Sequence, residues 1–330
     1  MTMHRAQYVV RGPVPQDVIE AVDFTAPALA SGQVLIQVLA APINPSDVLT
    51  LTGQYGMLPP LPAIGGNEGV GDIEALGADV TGLAIGQRVL LPIGCGTWST
   101  HVVADAKKLM PLPNAADPVQ LSMMTVNPPT AALMLSEFVT LAPGEWVIQN
   151  AANSAVGGYL IQIARSRGLK TVNVVRRESA IADVRQNGDE IVLVDGPDLA
   201  KRVAAATAGA TIRLGIDAVG GMATEHLARC LAEGGTLVNY GAMSGEPCSI
   251  SPASFVFRDL TLRGFWLAQW FRRATPQQQR AVYGDIAHRI AGGELHARVH
   301  ATYGVDRIKE AVAAAAAGER SGKIVIVPNP

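Results

Sequence analysis

Cysteine is scarce in this chain: three residues in 330, Cys95, Cys230 and Cys248, with no paired spacing among them. An odd, scattered set argues against a disulfide framework and against a cysteine-rich structural zinc site. Each is read as a small buried or half-buried side chain. Charge is also in short supply, with 16% of residues charged and a net charge of −2. No basic cluster is followed by aromatic platforms, so nucleic acid is not an expected partner. Long apolar runs are missing as well. The most uniform one, 311–317, falls far short of the roughly 20 residues that span a bilayer, so no membrane partner is expected. Behind Met1-Thr2-Met3-His4-Arg5-Ala6-Gln7 there is no apolar stretch of the kind a secretory signal needs, and a cytoplasmic location is expected. What is present is ample apolar material: hydrophobic residues make up 48%, which excludes general disorder. The length corresponds to about two domains.

The first 120 or so residues read as strands joined by turns. Val34-Leu35-Ile36-Gln37-Val38 is a β-rich run bounded by Gly32 and by Pro42 and Pro45. Glycines then crowd the chain at 65, 66, 69, 71, 77, 82 and 86, a spacing that suits the tight bends of a small barrel. Pro59-Pro60-Leu61-Pro62 is an extended loop. From about residue 125 strands and helices alternate. Trp146–Gln149, Thr171–Val175, Ile191–Val194, Ile212–Ala218 and Thr236–Tyr240 are the expected strands. Such alternation predicts a parallel sheet with helices on both faces. A helix is expected over Gln277–Arg289, a strand near Arg298–Tyr303, an Ala-rich helix over Asp306–Ala317 and a closing strand over Ile324–Val327. No repeat of fixed period is seen.

Between the strand at Trp146 and the helix bearing Val156, Leu160, Ile161 and Ala164 lies Asn150-Ala151-Ala152-Asn153-Ser154-Ala155-Val156-Gly157-Gly158. A dinucleotide pyrophosphate would sit at such a helix N-terminus. Alone, this segment does not separate a phosphate cradle from an ordinary strand-to-helix turn, because Ser154 and Ala155 stand where glycines are usual. The next strand ends in Arg176-Arg177 rather than in the acidic residue that grips an unphosphorylated ribose. Two guanidinium groups there suit a 2′-phosphate, and therefore NADPH, although a pair of surface arginines would read the same way.

Several further stretches carry a family resemblance. They are Ile43-Asn44-Pro45-Ser46-Asp47, Gly53-Gln54-Tyr55, Pro60 through Gly71, Val126-Asn127-Pro128, Val147 through Gly157, Asn173 through Arg176, Tyr240-Gly241-Ala242-Met243, and Arg263 through Trp270. In this order, and over essentially the whole chain, they resemble the mitochondrial-type trans-2-enoyl-thioester reductases, zinc-free medium-chain dehydrogenases/reductases related to quinone oxidoreductases. The resemblance implies an α/β chain with a GroES-like β-barrel catalytic domain, 1–123 with 295–330, and a Rossmann NADPH-binding domain, 124–294. It implies a homodimer and an acyl thioester substrate on CoA or an acyl carrier protein. By the same resemblance, Asn127, Asn153, Ser154, Ala155, Val156, Arg176, Arg177, Tyr240, Met243, Phe265, Trp266, Leu267 and Lys323 line the cofactor. Asn44, Asn67, Trp266 and Trp270 belong to the substrate pocket, and Tyr55 is the catalytic acid. Ala155, Ala242 and Pro129 depart from the family's usual residues.

Zinc-bearing relatives place a histidine before the glutamate where this chain has Gly66-Asn67-Glu68, and a cysteine in the region of Asn44. An amide is a poor zinc ligand, so no metal is expected. His296 and His300 are four apart, but a strand over Leu295–Tyr303 would hold them about 13 Å apart, too far for one ion. Glu68 is read as a buried structural carboxylate. Reduction of a 2-enoyl thioester needs a hydride at C3 and a proton at C2, with donors near the enolate oxygen. A phenol is protonated at neutral pH, as a donor must be. From the residues alone, Tyr55 could equally pack an apolar face. Quinone or alkenal reduction, and a non-catalytic NADPH-binding role, are the alternatives on the same fold.

Overall fold

The computed structural model describes residues 2–186, 188, 191–318 and 320–329. The chain forms two compact units, Met1–Val126 with Tyr283–Pro330, and Asn127–Val282. Among the described residues no helix is long and apolar enough to cross a membrane.

The first unit is organised by one long strand, Gln33–Ile43, whose side chains alternate between buried and half-buried along most of its length. It pairs antiparallel with Val70–Leu76 and with His101–Asp105, and its last residues pair antiparallel with Lys323–Ile326. Two register shifts against Val70–Leu76 bend it. Its inward residues Val34, Ile36 and Val38 pack with Ile73, Val89, Leu91 and Val102. Burying such a set, at about 25 cal/mol per Å² of apolar surface, is what holds the strands together. A second sheet runs Ile19–Phe24, Met3–Tyr8, Ala63–Ile64. Its inner face meets the Ala-rich helix Ile308–Ala316 around Trp98, Ile43 and Ile308. The closing strand, expected at Ile324–Val327, runs Lys323–Ile326, and the helix expected from Asp306 begins as a 3₁₀ turn at Val305–Arg307.

Where only strands and turns were expected, two helices occur, Pro45–Thr52 and Pro118–Ser122. The first has a legible cause: Asn44 at the N-cap, Pro45 in the first turn, and Asp47 at the third position, its carboxylate accepting from Asn44 N at 2.7 Å. The strand expected over Leu295–Tyr303 starts only at Val299, so His296 precedes it and the strand-length argument holds for His300 alone.

The second unit carries a six-stranded parallel sheet in the order Val192–Val194, Lys170–Val175, Trp146–Gln149, Ile212–Asp217, Thr236–Asn239, Thr261–Gly264. This is the doubly wound order, in which the nucleotide crevice lies at the carboxyl ends of the strands where the order reverses, between Trp146–Gln149 and Ile212–Asp217. Its inner strands are almost wholly buried, and Ile148, Val172, Val174 and Leu237 share a core with Leu199, Val203, Leu227 and Leu231 from flanking helices. The sixth strand, Thr261–Gly264, went unrecognised in the sequence because all four residues are exposed and show no apolar alternation.

Candidate active site

In the first unit, Tyr55 follows directly on the end of the helix Pro45–Thr52. Gln54 N and Tyr55 N both donate to Leu49 O, at 2.8 and 3.2 Å, so the departure of the loop from the helix is fixed. The proline-rich segment beyond it is tied down by Arg11, whose guanidinium donates to Pro59 O. Tyr55 lines a cavity of about 530 Å³ together with Tyr8, Asp47, Met57, Asn67 and Trp98. Aliphatic and aromatic walls with a few converging polar groups are the usual make-up of a small-molecule site.

Behind that wall lies a buried polar cluster. Lys323 Nζ donates to Asn44 Oδ1, and Asn44 Nδ2 donates to Glu68 Oε1 at 2.6 Å. Glu68 Oε2 accepts from Thr125 N and Val126 N at 3.0 and 2.9 Å. Asp47 Oδ1 accepts from Asn67 Nδ2 at 2.6 Å. Glu68 is fully buried, and Asn44, Asp47 and Lys323 nearly so. Burial drives Glu68 above the ordinary carboxylate range, with the Lys323 charge and the Asn44 amide opposing. Burial likewise depresses Lys323, with Glu68 and Asp47 opposing. Asp47 is pushed up to about 6 by burial, against the pull of Asn44, Lys323 and Asn67. The turn that presents Asn67 depends on Gly66: its φ is +98°, and a Cβ there would lie 2.4 Å from Thr97 Oγ1. Asn44 and Asn67 are thus both hydrogen-bonded to carboxylates. Among the described residues no group of three or more His, Cys, Asp or Glu is placed to hold a metal ion.

In the second unit, the loop after Trp146–Gln149 leads into the helix Ala155–Ser166. Ser154 caps this helix, its Oγ accepting from Gly157 N at 3.1 Å. Gly157 is required by close approach, since a Cβ there would lie 2.5 Å from Ala152 O. The loop is pressed onto the first turn of the helix, whose leading N–H groups lie where the intrahelical ladder has not yet begun. Tyr240 brings its hydroxyl to the Ser154 side chain, and burial raises its pKa. Arg176 is exposed and Arg177 half-exposed directly after the strand Lys170–Val175. Asn153 and Met243 are also exposed, and Asn127 is buried at the first residue of the helix Asn127–Met134. Phe265 packs edge-on against Phe138. Trp266 caps the helix Leu267–Arg273 under the Arg272 guanidinium, and Trp270 packs edge-on against Phe271.

The structure therefore brings Ser154, Ala155, Val156 and Tyr240 together in the second unit, and Asn44, Asn67 and Lys323 together in the first. Lys323, expected at the cofactor, is 5% exposed and hydrogen-bonded inside the first unit. Two acidic residues were missed. One is Asp47, whose signal is the Asn44-Pro45-Ser46-Asp47 capping pattern. The other is Asp217, fully buried, which accepts from Asn150 Nδ2 at 2.6 Å, Thr224 Oγ1 at 2.7 Å and Asn239 Nδ2 at 3.0 Å. It clamps the carboxyl ends of three adjacent strands at the order reversal, and a lone Asp closing an apolar strand is its only trace in the sequence.

Residues 30–114 match the alcohol dehydrogenase GroES-like domain family, and residues 155–281 match the zinc-binding dehydrogenase family. The expected pairing of a GroES-like domain with a Rossmann-type parallel-sheet domain is thereby met. The chain is 39% identical over 295 residues to the mitochondrial enoyl-[acyl-carrier-protein] reductase of Rattus norvegicus, covering 86% of this chain and 78% of that protein. Its structure is similar to that of Etr1p in complex with NADP and crotonyl-CoA, with a TM-score of 0.89, 25% identity, and 99% and 100% of the two chains covered. It is also similar to a Bacillus thuringiensis protein described as a putative NADPH:quinone reductase, with a TM-score of 0.88, 28% identity and 99% of each chain covered. The chain belongs to the family of mitochondrial-type enoyl-[acyl-carrier-protein] reductases, within the medium-chain dehydrogenases/reductases.

Proposed function

We propose that this chain reduces the C2=C3 double bond of 2-enoyl thioesters, on CoA or an acyl carrier protein, with NADPH as reductant. The observation that carries the reading is the likeness to enoyl reductases over most of the chain, together with a phenol, Tyr55, on the wall of a cavity. The residues fit the cofactor on their own chemistry. The glycine-dependent contact at Gly157 shapes a helix terminus for the pyrophosphate, and Arg176 and Arg177 offer charge-assisted hydrogen bonds to a 2′-phosphate. Asn127, Asn153, Met243, Phe265, Trp266 and Leu267 are assigned to the rest of the cofactor, with Trp266 and Trp270 also bordering the acyl group. When bound, NADPH supplies the hydride that C3 receives. Tyr55 gives its hydroxyl proton to C2.

Steady-state rates with crotonyl-CoA and with a simple quinone, each with NADPH and NADH, test this. Crotonyl-CoA turnover with a clear preference for NADPH is the expected result. Faster reduction of the quinone would favour the alternative that the Bacillus thuringiensis likeness suggests. NADPH binding with no turnover of either would favour the non-catalytic reading.

A homodimer is part of the same proposal. Thr261–Gly264 ends the sheet with one edge unpaired by the described strands, and its neighbours Phe255, Val256 and Phe257 are 49%, 64% and 80% exposed. An edge strand beside an apolar patch is suited to pairing with a second copy. Light scattering should give twice the 34.5 kDa chain mass, and a monomer at micromolar concentration would refute it.

A further inference from the structure

Asp47 does more than cap a helix. Its carboxylate receives three donors: Asn44 N and Asn67 Nδ2, at 2.7 and 2.6 Å, and the backbone N–H of Asn67. Both Asp47 and Asn67 stand on the wall of the cavity that contains Tyr55. A carboxylate only accepts, so it dictates which way the Asn67 amide faces. With Nδ2 held to Asp47, turning the amide over would set its oxygen against a carboxylate oxygen. One Nδ2 hydrogen is used by Asp47, and the amide nitrogen has a second.

We propose that Asp47 is a positioning residue for the reduction, orienting the Asn67 amide so that its second Nδ2 hydrogen is presented to the thioester carbonyl oxygen of a substrate seated beside Tyr55. This rests on the function proposed above. As the double bond is reduced, negative charge gathers on that oxygen, and an oriented donor is worth most at that moment. Protonating Asp47 turns one of its oxygens into a donor and removes the charge that strengthens its hold on the amide, so the orientation is no longer dictated; burial pushes the carboxyl up to about 6. The charged and titratable groups facing Asp47 are Lys323 from the C-terminal strand, Glu68 from the loop after Gly66, and Tyr8 from the first strand. Arg11 in turn faces Tyr8, and Arg320 faces Lys323. Asp47 is the one of these whose carboxylate is bonded to Asn67.

The test compares the intact protein with D47N and N67A, using crotonyl-CoA and NADPH from pH 5 to 8. In the unaltered protein kcat falls as pH drops through about 6. Both variants lose roughly tenfold or more in kcat at pH 7.5, keep the KM for NADPH, and show no acid limb. A purely structural role would not abolish the limb in N67A, which retains the carboxylate. A second readout does not depend on turnover. In protein labelled with ¹⁵N-asparagine, the Asn67 side-chain amide resonance should titrate near pH 6, cease to do so in D47N, and shift when crotonyl-CoA is added without NADPH. Turnover by the unaltered protein with the limb intact in N67A, or with an Asn67 resonance that ignores both pH and crotonyl-CoA, overturns this inference and leaves the function standing. No turnover of crotonyl-CoA by the unaltered protein overturns the function itself, whatever the Asn67 resonance does.

Discussion

Tyr55→Phe should lower kcat for crotonyl-CoA by about 10²- to 10⁴-fold, the range that a positioned general acid supplies. NADPH affinity should be unchanged, because the nucleotide cradle is built from other residues. Phenylalanine keeps the ring and loses only the hydroxyl, so the cavity wall and the loop bonds to Leu49 O persist. What disappears is the proton for C2, and a hydride transfer that leaves an unquenched enolate is reversible. Tyr8 is the rival, since it lines the same cavity. Its environment argues against it: it is 2% exposed, burial raises its pKa, and its hydroxyl is engaged by Arg11. Tyr8→Phe should therefore leave most of the rate in place. If the two variants behave the other way round, the acid is Tyr8. Quinone reduction needs no proton at carbon, and any such activity should survive Tyr55→Phe.

Much of the second unit was legible because its strands are buried on both faces and read as short β-branched runs. Trp146–Gln149 was located to the residue, and its neighbours to within one or two. The sixth strand escaped because exposure removes the apolar pattern, leaving an edge that only backbone pairing with Thr236–Asn239 defines. In the first unit the helix Pro45–Thr52 was hidden among strand signals, although its cap was written in Asn44, Pro45 and Asp47. The site was readable only in pieces. Resemblance supplied Tyr55, Asn44 and Asn67 as single positions. That Lys323 closes on Asn44 across 279 residues of chain depends on the pairing of Lys323–Ile326 with the end of Gln33–Ile43, which no local pattern encodes. The pairing of a carboxylate with each amide is likewise a property of the folded chain.

That closure predicts the largest stability effect. Lys323→Met should destabilise the first unit by about 1–3 kcal/mol at pH 8, the usual cost of leaving a buried acceptor without its donor. Asn44 Oδ1 loses its donor, and Glu68 and Asp47 are left as buried carboxylates without a cation. The signs for pH follow from the direction of each shift. Glu68 and Asp47 are raised, so their contribution is present in full below the ordinary carboxylate value and is lost as pH rises through the raised one. Lys323 is depressed, so its contribution is present above the ordinary lysine value and is lost as pH falls through the lowered one. Near neutrality all three charged forms are therefore costs, offset by mutual attraction and hydrogen bonds. The Lys323→Met penalty should accordingly shrink below pH 6, where the carboxylates take up protons. Adding Glu68→Gln should recover half or more of it at pH 8. The side-chain oxygen of the introduced amide can still accept from Thr125 N and Val126 N, and Asn44, released from the lysine, can turn its own oxygen toward the new NH₂ group. Denaturation followed by the fluorescence of Trp98, the one tryptophan in the sequence of this unit, reads the effect. A double variant no more stable than the sum of the two single losses would mean that Lys323 and Glu68 are not coupled.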